Sequence, residues 1–230
     1  MEWNAENYRK TCNAVTERGT ELVDIIKEMK CYRVLDLGCG TGVLTNEISK
    51  FANKVIGIDS SHNMIEQAKK LYPNVEFVLM DACSLKWKNH FDMIFSNAVF
   101  HFIQSQDILL NSIYMALEQN GILFCEFGAF GNIKDLLNTI EKVCEKRKKK
   151  YSLRFFYPEK DNYEKLLNEH GFHVESITVF DLDSLLNDGK FGLKNWINLV
   201  FQVEMNWFDI EERDEVITEI ENSLRDTYWD

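Results

Sequence analysis

The chain has 230 residues, 45% of them hydrophobic and 13% aromatic, enough for one buried core and too many for a long disordered span. A formal charge of -11 argues against a nucleic-acid partner, which needs a basic face, and no apolar run nears the roughly 20 residues of a membrane span. The acidic, polar start does not read as a signal peptide, and Cys12, Cys31, Cys39, Cys83, Cys125 and Cys144 form no C-x-x-C pair, so buried thiols in a reducing, cytoplasmic setting are expected.

In chain order, Trp3-Asn4-Ala5-Glu6-Asn7-Tyr8 reads as a short helical stretch, and Leu22, Ile25, Ile26 and Met29 form a helical stripe. Val34-Leu35-Asp36-Leu37-Gly38-Cys39-Gly40-Thr41-Gly42 is an apolar run ending in an acid, then glycines at every second position before a helical pattern. This predicts strand, tight turn and helix. Glycine permits positive φ and close approach of a ligand, and the helix start offers unpaired N–H groups. Lys54-Val55-Ile56-Gly57-Ile58-Asp59 is a second strand whose terminal acid falls where a ribose-binding acid is expected in a nucleotide-type α/β fold. Met64, Ile65, Ala68 and Leu71 mark a helix with Ser60 or Ser61 as its N-cap.

Val75 to Met80 is the third strand, and Phe91-Asp92-Met93-Ile94-Phe95-Ser96-Asn97-Ala98 the fourth. A helix carries Ile108, Leu109, Ile113 and Ala116, Leu117 to Leu123 leads into a fifth strand, and Ile133, Leu136, Leu137, Ile140 and Val143 mark another helix. This alternation predicts an α/β fold: a doubly wound, mostly parallel sheet with helices on both faces and right-handed crossovers. Ligands in such sheets bind at the carboxyl ends of the strands, where Asp36, Asp59, Asp81 and Asn97 all fall. Tyr163, Leu166 and Leu167 suggest a short helix ending at Gly171, Phe172 to Phe180 alternates as a sixth strand, and Leu193 to Trp229 reads as two helices.

The glycine turn and Asp59 together point to an adenosine-containing cofactor. Dinucleotide folds use G-x-G-x-x-G, and Val43 stands here at the place of the third glycine. Asp36 would repel a phosphate and could hold a cationic amine one layer removed. The spacing therefore disfavours NAD or FAD and suits a cofactor carrying an amino acid and a sulfonium.

These segments resemble the class I S-adenosylmethionine-dependent methyltransferases over residues 31–127. The resemblance implies cofactor contacts at Tyr8, Asp36, Gly38, Cys39, Gly40, Asp59, Ser60, Asp81, Ala82 and Asn97: the glycine turn, the ribose position at Asp59-Ser60, the adenine position at Asp81-Ala82, and the methyl end at Asn97. Trp3 to Tyr8 and Phe127-Gly128-Ala129-Phe130-Gly131-Asn132-Ile133 are similar to the trans-aconitate methyltransferase-like branch. Relatives insert a seventh, antiparallel strand between the fifth and sixth. No apolar alternation remains near Tyr228-Trp229-Asp230 to build it, so six strands, or a sixth displaced toward the fifth, are expected. One methyltransferase domain is expected over 1–230: an N-terminal lid and helix (1–30), a cofactor-binding core (31–127), and substrate-side elements with C-terminal helices (128–230).

His101, just past the fourth strand, is the candidate catalytic residue, as a base or as a group orienting the acceptor; the alternative is packing against the adenosine without proton transfer. Trp3 and Tyr8 fit a lid over the methionyl end or ordinary aromatic packing. Arg9, Arg33 and Arg154 are the arginines weighed for an acidic substrate, against the plainer reading of surface charge. The basic run 146–150 reads as a solvated helix end, and Cys39 as a small side chain beneath the cofactor. His170, His173 and Glu169 lack further ligands for a metal, and none is expected.

The expected activity is methyl transfer from S-adenosylmethionine, with S-adenosylhomocysteine as product, to a carboxylate or hydroxyl of a small molecule, by a monomer or homodimer. The alternatives are a cofactor-binding protein of this fold without transferase activity, favoured if Phe100, Phe102 or Phe130 plugs the acceptor cavity, and a nicotinamide-dependent oxidoreductase.

Overall fold

A computed structural model describes residues 2–228. Five parallel strands form one sheet in the order β3-β2-β1-β4-β5: β1 (Arg33–Leu37), β2 (Lys54–Asp59), β3 (Glu76–Leu79), β4 (Phe91–Asn97) and β5 (Leu117–Glu126). Parallel strands covered on both faces need apolar side chains throughout, which is why β1, β2 and β4 were legible as continuous runs. The order reverses between β1 and β4, and in sheets of this kind ligands bind in the crevice at that switch point, above the carboxyl ends.

The helices are α1 (Ala5–Thr11), α2 (Asn13–Lys27), α3 (Val43–Ile48), α4 (His62–Leu71), α5 (Gln106–Ala116), α6 (Lys134–Lys146), α7 (Lys160–Glu169), α8 (Gly192–Val200), α9 (Gln202–Met205) and α10 (Ile210–Tyr228). On one face Leu22, Val23 and Ile26 of α2 and Ile48 of α3 pack on Val34, Val55, Met93 and Phe95. On the other, Leu109, Leu110 and Ile113 of α5 and Tyr163 of α7 pack on Leu35, Leu37, Ile56, Ile58 and Ile94. A third cluster joins Leu136, Ile140 and Val143 of α6, Ile197 of α8 and Val216, Ile217 and Ile220 of α10 to Phe155 and Phe201. Each fully buried side chain of this kind contributes about 1.5–3 kcal/mol.

The fold is the expected doubly wound parallel sheet, with two corrections. Residues 172–180 form no strand: Phe172 and Ile177 reach the core, but their odd spacing breaks the period of two, and Val179 and Phe180 are 55% and 49% exposed. The sheet therefore has five strands among the described residues, and no seventh strand joins it. The C-terminal region holds three helices, α8 to α10, rather than two; Trp229, where the second was expected to end, lies outside the described residues.

Candidate active site

The chain leaves β1 at Leu37 and reaches α3 through Gly38, Gly40 and Gly42, whose φ values are +76°, +53° and +82°. The N–H groups of Gly38 and Cys39 both donate to the Ile58 carbonyl at 2.8 Å, tying the turn to β2. A Cβ at Gly38 would lie 2.2 Å from Val99 Cγ2, and one at Gly42 2.6 Å from Phe77 Cζ, so both are glycine for packing and for backbone. At Gly40 a Cβ would meet nothing within 4 Å. That position faces open space above the sheet.

Asp59, at the end of β2, joins the two sides of this crevice. Its Oδ2 accepts the Gly40 N–H at 3.0 Å and its Oδ1 accepts the Ser61 N–H at 2.8 Å. Burial raises its pKa while these two N–H groups pull it back. Ser60 is exposed beside it; Ser61 caps α4, accepting the Met64 N–H at 3.4 Å. Asp36 is buried under the turn, accepts the Thr45 hydroxyl at 2.6 Å, and is pushed up to about 7 by burial. The Cys39 thiol is buried and held well above its ordinary pKa by burial, which makes it a small packing group and a poor nucleophile.

Further along the strand ends, Asp81 accepts the Cys83 N–H at 2.8 Å and caps a 3₁₀ turn over Ala82–Ser84, with Ala82 buried. Asn97 donates its side-chain N–H to the Val15 carbonyl of α2 at 3.0 Å, leaving its own carbonyl oxygen as the group it can present. His101 sits in a 3₁₀ turn, Phe100–Phe102, beyond β4. Its Nδ1 accepts the Gly128 N–H at 3.1 Å, its carbonyl accepts the Phe156 N–H at 2.8 Å, and burial lowers its pKa to about 4.

Residues 2–8 strap across these elements. Glu2 accepts the Ser61 hydroxyl at 3.0 Å and the His62 N–H at 3.1 Å, an acid at the positive end of α4. Trp3 meets Tyr8 at 5.7 Å and Phe102 at 5.4 Å between ring centroids, both edge-on. Burial, with Cys12 and Asp59 nearby, raises the Tyr8 hydroxyl pKa. The strap thus spans from the Asp59 side to the His101 side.

The three arginines do not converge on this crevice. Arg33 begins β1 at the amino end of the sheet and pairs with Glu118, and Arg9 is exposed on α1. Arg154 is drawn into the fold, its Nε 2.7 Å from Glu204 Oε1, with Glu204 fully buried. Its side chain therefore meets an internal need rather than an open acceptor site. Sequence reading missed Arg18 on α2, which grips both oxygens of Glu126 at the end of β5, Nε to Oε1 at 2.8 Å. No local signal marks a pair 108 residues apart. Lys146 and Arg147 at the end of α6 pair with Glu219 of α10 at 2.6 and 2.8 Å, and His170 lies 3.1 Å from Asp107 on α5. Phe100 is in the core, Phe102 packs on Trp3 and Phe155, and Phe130 is 66% exposed.

The donor set fits a sulfonium nucleoside. Each oxygen of Asp59 accepts one N–H and has capacity for a ribose hydroxyl, Gly40 leaves the turn uncovered, and Asp36 lies beneath where a cation would rest. A methyltransferase-domain family model matches residues 28–171, the span from the end of α2 to the glycine after α7. An uncharacterized methyltransferase of Schizosaccharomyces pombe is 31% identical over 90% of this chain and 85% of its own length. A malonyl-[acyl-carrier protein] O-methyltransferase of Ilyobacter polytropus is 35% identical over 55% of this chain, and a trans-aconitate 2-methyltransferase of Rhizobium leguminosarum 33% identical over 54%. These two matches span about half of each relative, 48% and 49%. The family match excludes the oxidoreductase reading: the chain belongs to the methyltransferase-domain family and is a class I S-adenosylmethionine-dependent methyltransferase.

Proposed function

We propose that this enzyme methylates a small molecule at a carboxylate or hydroxyl oxygen by in-line transfer. When bound, S-adenosylmethionine supplies a methyl group on an already activated sulfonium. The protein's own task is to align the acceptor and exclude water. In this reading Asp59 holds the ribose hydroxyls, Asp81 and Ala82 border the adenine, and Asp36 favours the amino-acid cation. Gly38, Cys39 and Gly40 line the methionyl path with their backbone, and Asn97 and His101 border the methyl end. Residues 2–8 act as a lid, and Tyr8 closes it near Asp59.

The observation that carries this reading is the strap itself, which joins the nucleoside side at Ser61 to the aromatic wall at Phe102. A segment lying across these strand ends suits a small acceptor better than a polymer, in keeping with a net charge of -11. The names of two relatives, trans-aconitate and malonyl-[acyl-carrier protein] methyltransferases, support an acidic acceptor. A cytoplasmic monomer or homodimer completes the proposal; no described helix is long and apolar enough to cross a membrane.

A panel of small carboxylic acids, phenols and amines incubated with methyl-labelled cofactor tests the acceptor class. Label is expected in a base-labile methyl ester or in an ether; label found only in methylated amines overturns the proposal.

Two substitutions separate fold from binding at the glycine turn. Gly38→Ala combines a positive φ, about 1–2 kcal/mol, with a Cβ 2.2 Å from Val99. A total loss of about 2–4 kcal/mol is expected, lowering Tm by roughly 5–15 °C. Gly40→Ala meets no clash and should lower Tm by only about 2–6 °C, yet the added methyl projects into the cofactor's space. Thermal melts with and without S-adenosylhomocysteine read both: Gly40→Ala should lose the ligand-induced rise that wild type shows, and a retained rise contradicts the assignment.

Asp36 makes cofactor binding pH-dependent. With its pKa raised to about 7, its contribution to stability is present below the ordinary carboxylate range and is lost as pH rises through 7. A cation above the turn favours the ionised carboxylate, so binding releases up to one proton below pH 7. Affinity is expected to rise up to about tenfold per pH unit toward that value and to level off above it. Titration calorimetry in two buffers of different ionisation heat measures the released proton. Asp36→Asn should abolish the release; a wild-type affinity independent of pH contradicts the account.

A further inference from the structure

Resting on the proposed oxygen acceptor, we infer that His101 grips that acceptor as a hydrogen-bond donor through Nε2–H and takes no proton from it. A neutral imidazole has one N–H and one lone-pair nitrogen. Nδ1 accepts the Gly128 N–H at 3.1 Å, so the lone pair is spent there and the ring hydrogen is on Nε2. The Gly128 backbone cannot easily yield, because it lies against Tyr157, 2.6 Å from where a Cβ would stand. His101 is held again by the Phe156 N–H on its carbonyl, and its ring packs on Phe102 and Tyr157 at 4.3 and 5.8 Å.

For His101 to act as a base, the lone pair would have to move to Nε2. The hydrogen then placed on Nδ1 would face the Gly128 N–H, donor against donor, and a buried backbone group would lose its partner. Nε2 has no partner among the described residues and is not one of the sealed, unpartnered buried atoms, so it remains available to a ligand. Among the described residues, the titratable groups beside His101 and the lid are otherwise engaged. Glu126 at the end of β5 is committed to Arg18, and the hydroxyls of Tyr157 and Tyr8 are held by burial in the protonated state.

The acceptor oxygen must therefore arrive already ionised, which selects the carboxylate over the hydroxyl. Its lone pair forms the O–C bond while the C–S bond breaks, and the bonding pair moves to sulfur. The products are a neutral methyl ester and a neutral thioether, with no proton transferred. Nε2–H holds the carboxylate during this exchange and excludes acceptors that must first lose a proton.

The tautomer is read directly by ¹⁵N NMR of the full chain with S-adenosylhomocysteine bound, His101 being assigned by its loss in His101→Gln. The expected spectrum has a protonated, pyrrole-type Nε2 and a pyridine-type Nδ1, unchanged between about pH 5.5 and 8.5. A pyridine-type Nε2, or titration within that range, overturns the inference. Kinetics with the fastest acid of the panel provide a second reading. His101→Ala should raise the KM for that acid at least tenfold with cofactor affinity within twofold of wild type, and His101→Gln, which restores an N–H donor but no base, should recover most of the loss. A glutamine variant whose KM for that acid is raised as far as alanine's overturns the inference. Label in a phenol ether with none in any acid keeps the acceptor proposal and overturns this inference; if the panel labels neither acid nor hydroxyl, the acceptor proposal fails by itself, and the NMR result still decides the tautomer.

Discussion

Asp59→Ala is expected to weaken binding of S-adenosylmethionine by two to three orders of magnitude. The carboxylate is placed to do two jobs. It accepts the Gly40 N–H at 3.0 Å and the Ser61 N–H at 2.8 Å, which fixes the glycine turn against the start of α4. In the proposed complex it also accepts the two ribose hydroxyls, each a hydrogen bond to a charged group contributing about 1.5–3 kcal/mol. At the lower end of that range the pair is worth about 3–4 kcal/mol, roughly 100-fold to 1,000-fold in affinity. Asp59→Asn separates the jobs, since its amide keeps one acceptor oxygen and places a donor on the other side. An intermediate loss is expected from it. Calorimetric titration of each variant reads the effect, and an Asp59→Ala affinity within tenfold of wild type contradicts the assignment of the ribose to this side chain.

Arg154→Ala is expected to destabilise the protein by about 3–5 kcal/mol, because it leaves the Glu204 carboxylate buried without its cation. The corresponding fall in Tm is roughly 6–20 °C for a domain of this size. The guanidinium also accounts for the Val200 carbonyl and stacks on Phe155, 4.6 Å from the ring centre, so the loss includes packing within the third cluster. Replacing the pair together, Arg154→Met with Glu204→Leu, removes the uncompensated charge and should recover most of the stability. Denaturant unfolding of the single and double variants checks this. A single variant as stable as wild type would return Arg154 to the list of arginines available to a substrate.

The parts legible in the sequence were those with a local cause. A buried parallel strand must be a continuous apolar run, so β1, β2 and β4 stood out, and the positive φ at Gly38, Gly40 and Gly42 required glycine in alternation. Asp59 could be placed because it ends such a run. Residues joined from far apart in the chain could not be placed. Arg154 meets Glu204 across 50 positions and Arg18 meets Glu126 across 108, and in each case side-chain chemistry is shared by many candidates. The sixth strand failed for a different reason: alternation from Phe172 to Val174 loses its period before Ile177, which only the placement against β5 and α7 exposes. Asn97 was placed at the right strand end, but its amide N–H faces α2, a packing detail with no counterpart in its neighbours along the chain. The sequence does not distinguish base from orienting group at His101, because its tautomer depends on a backbone N–H 27 residues away.

The most direct measurement is a crystal structure with S-adenosylhomocysteine bound. The ribose hydroxyls are expected on the Asp59 carboxylate, the homocysteine portion along the backbone from Gly38 to Gly42, and the sulfur facing the turn that carries His101. Density for the nucleoside elsewhere on the molecule, with Asp59 bonded only to Gly40 and Ser61, would contradict the account.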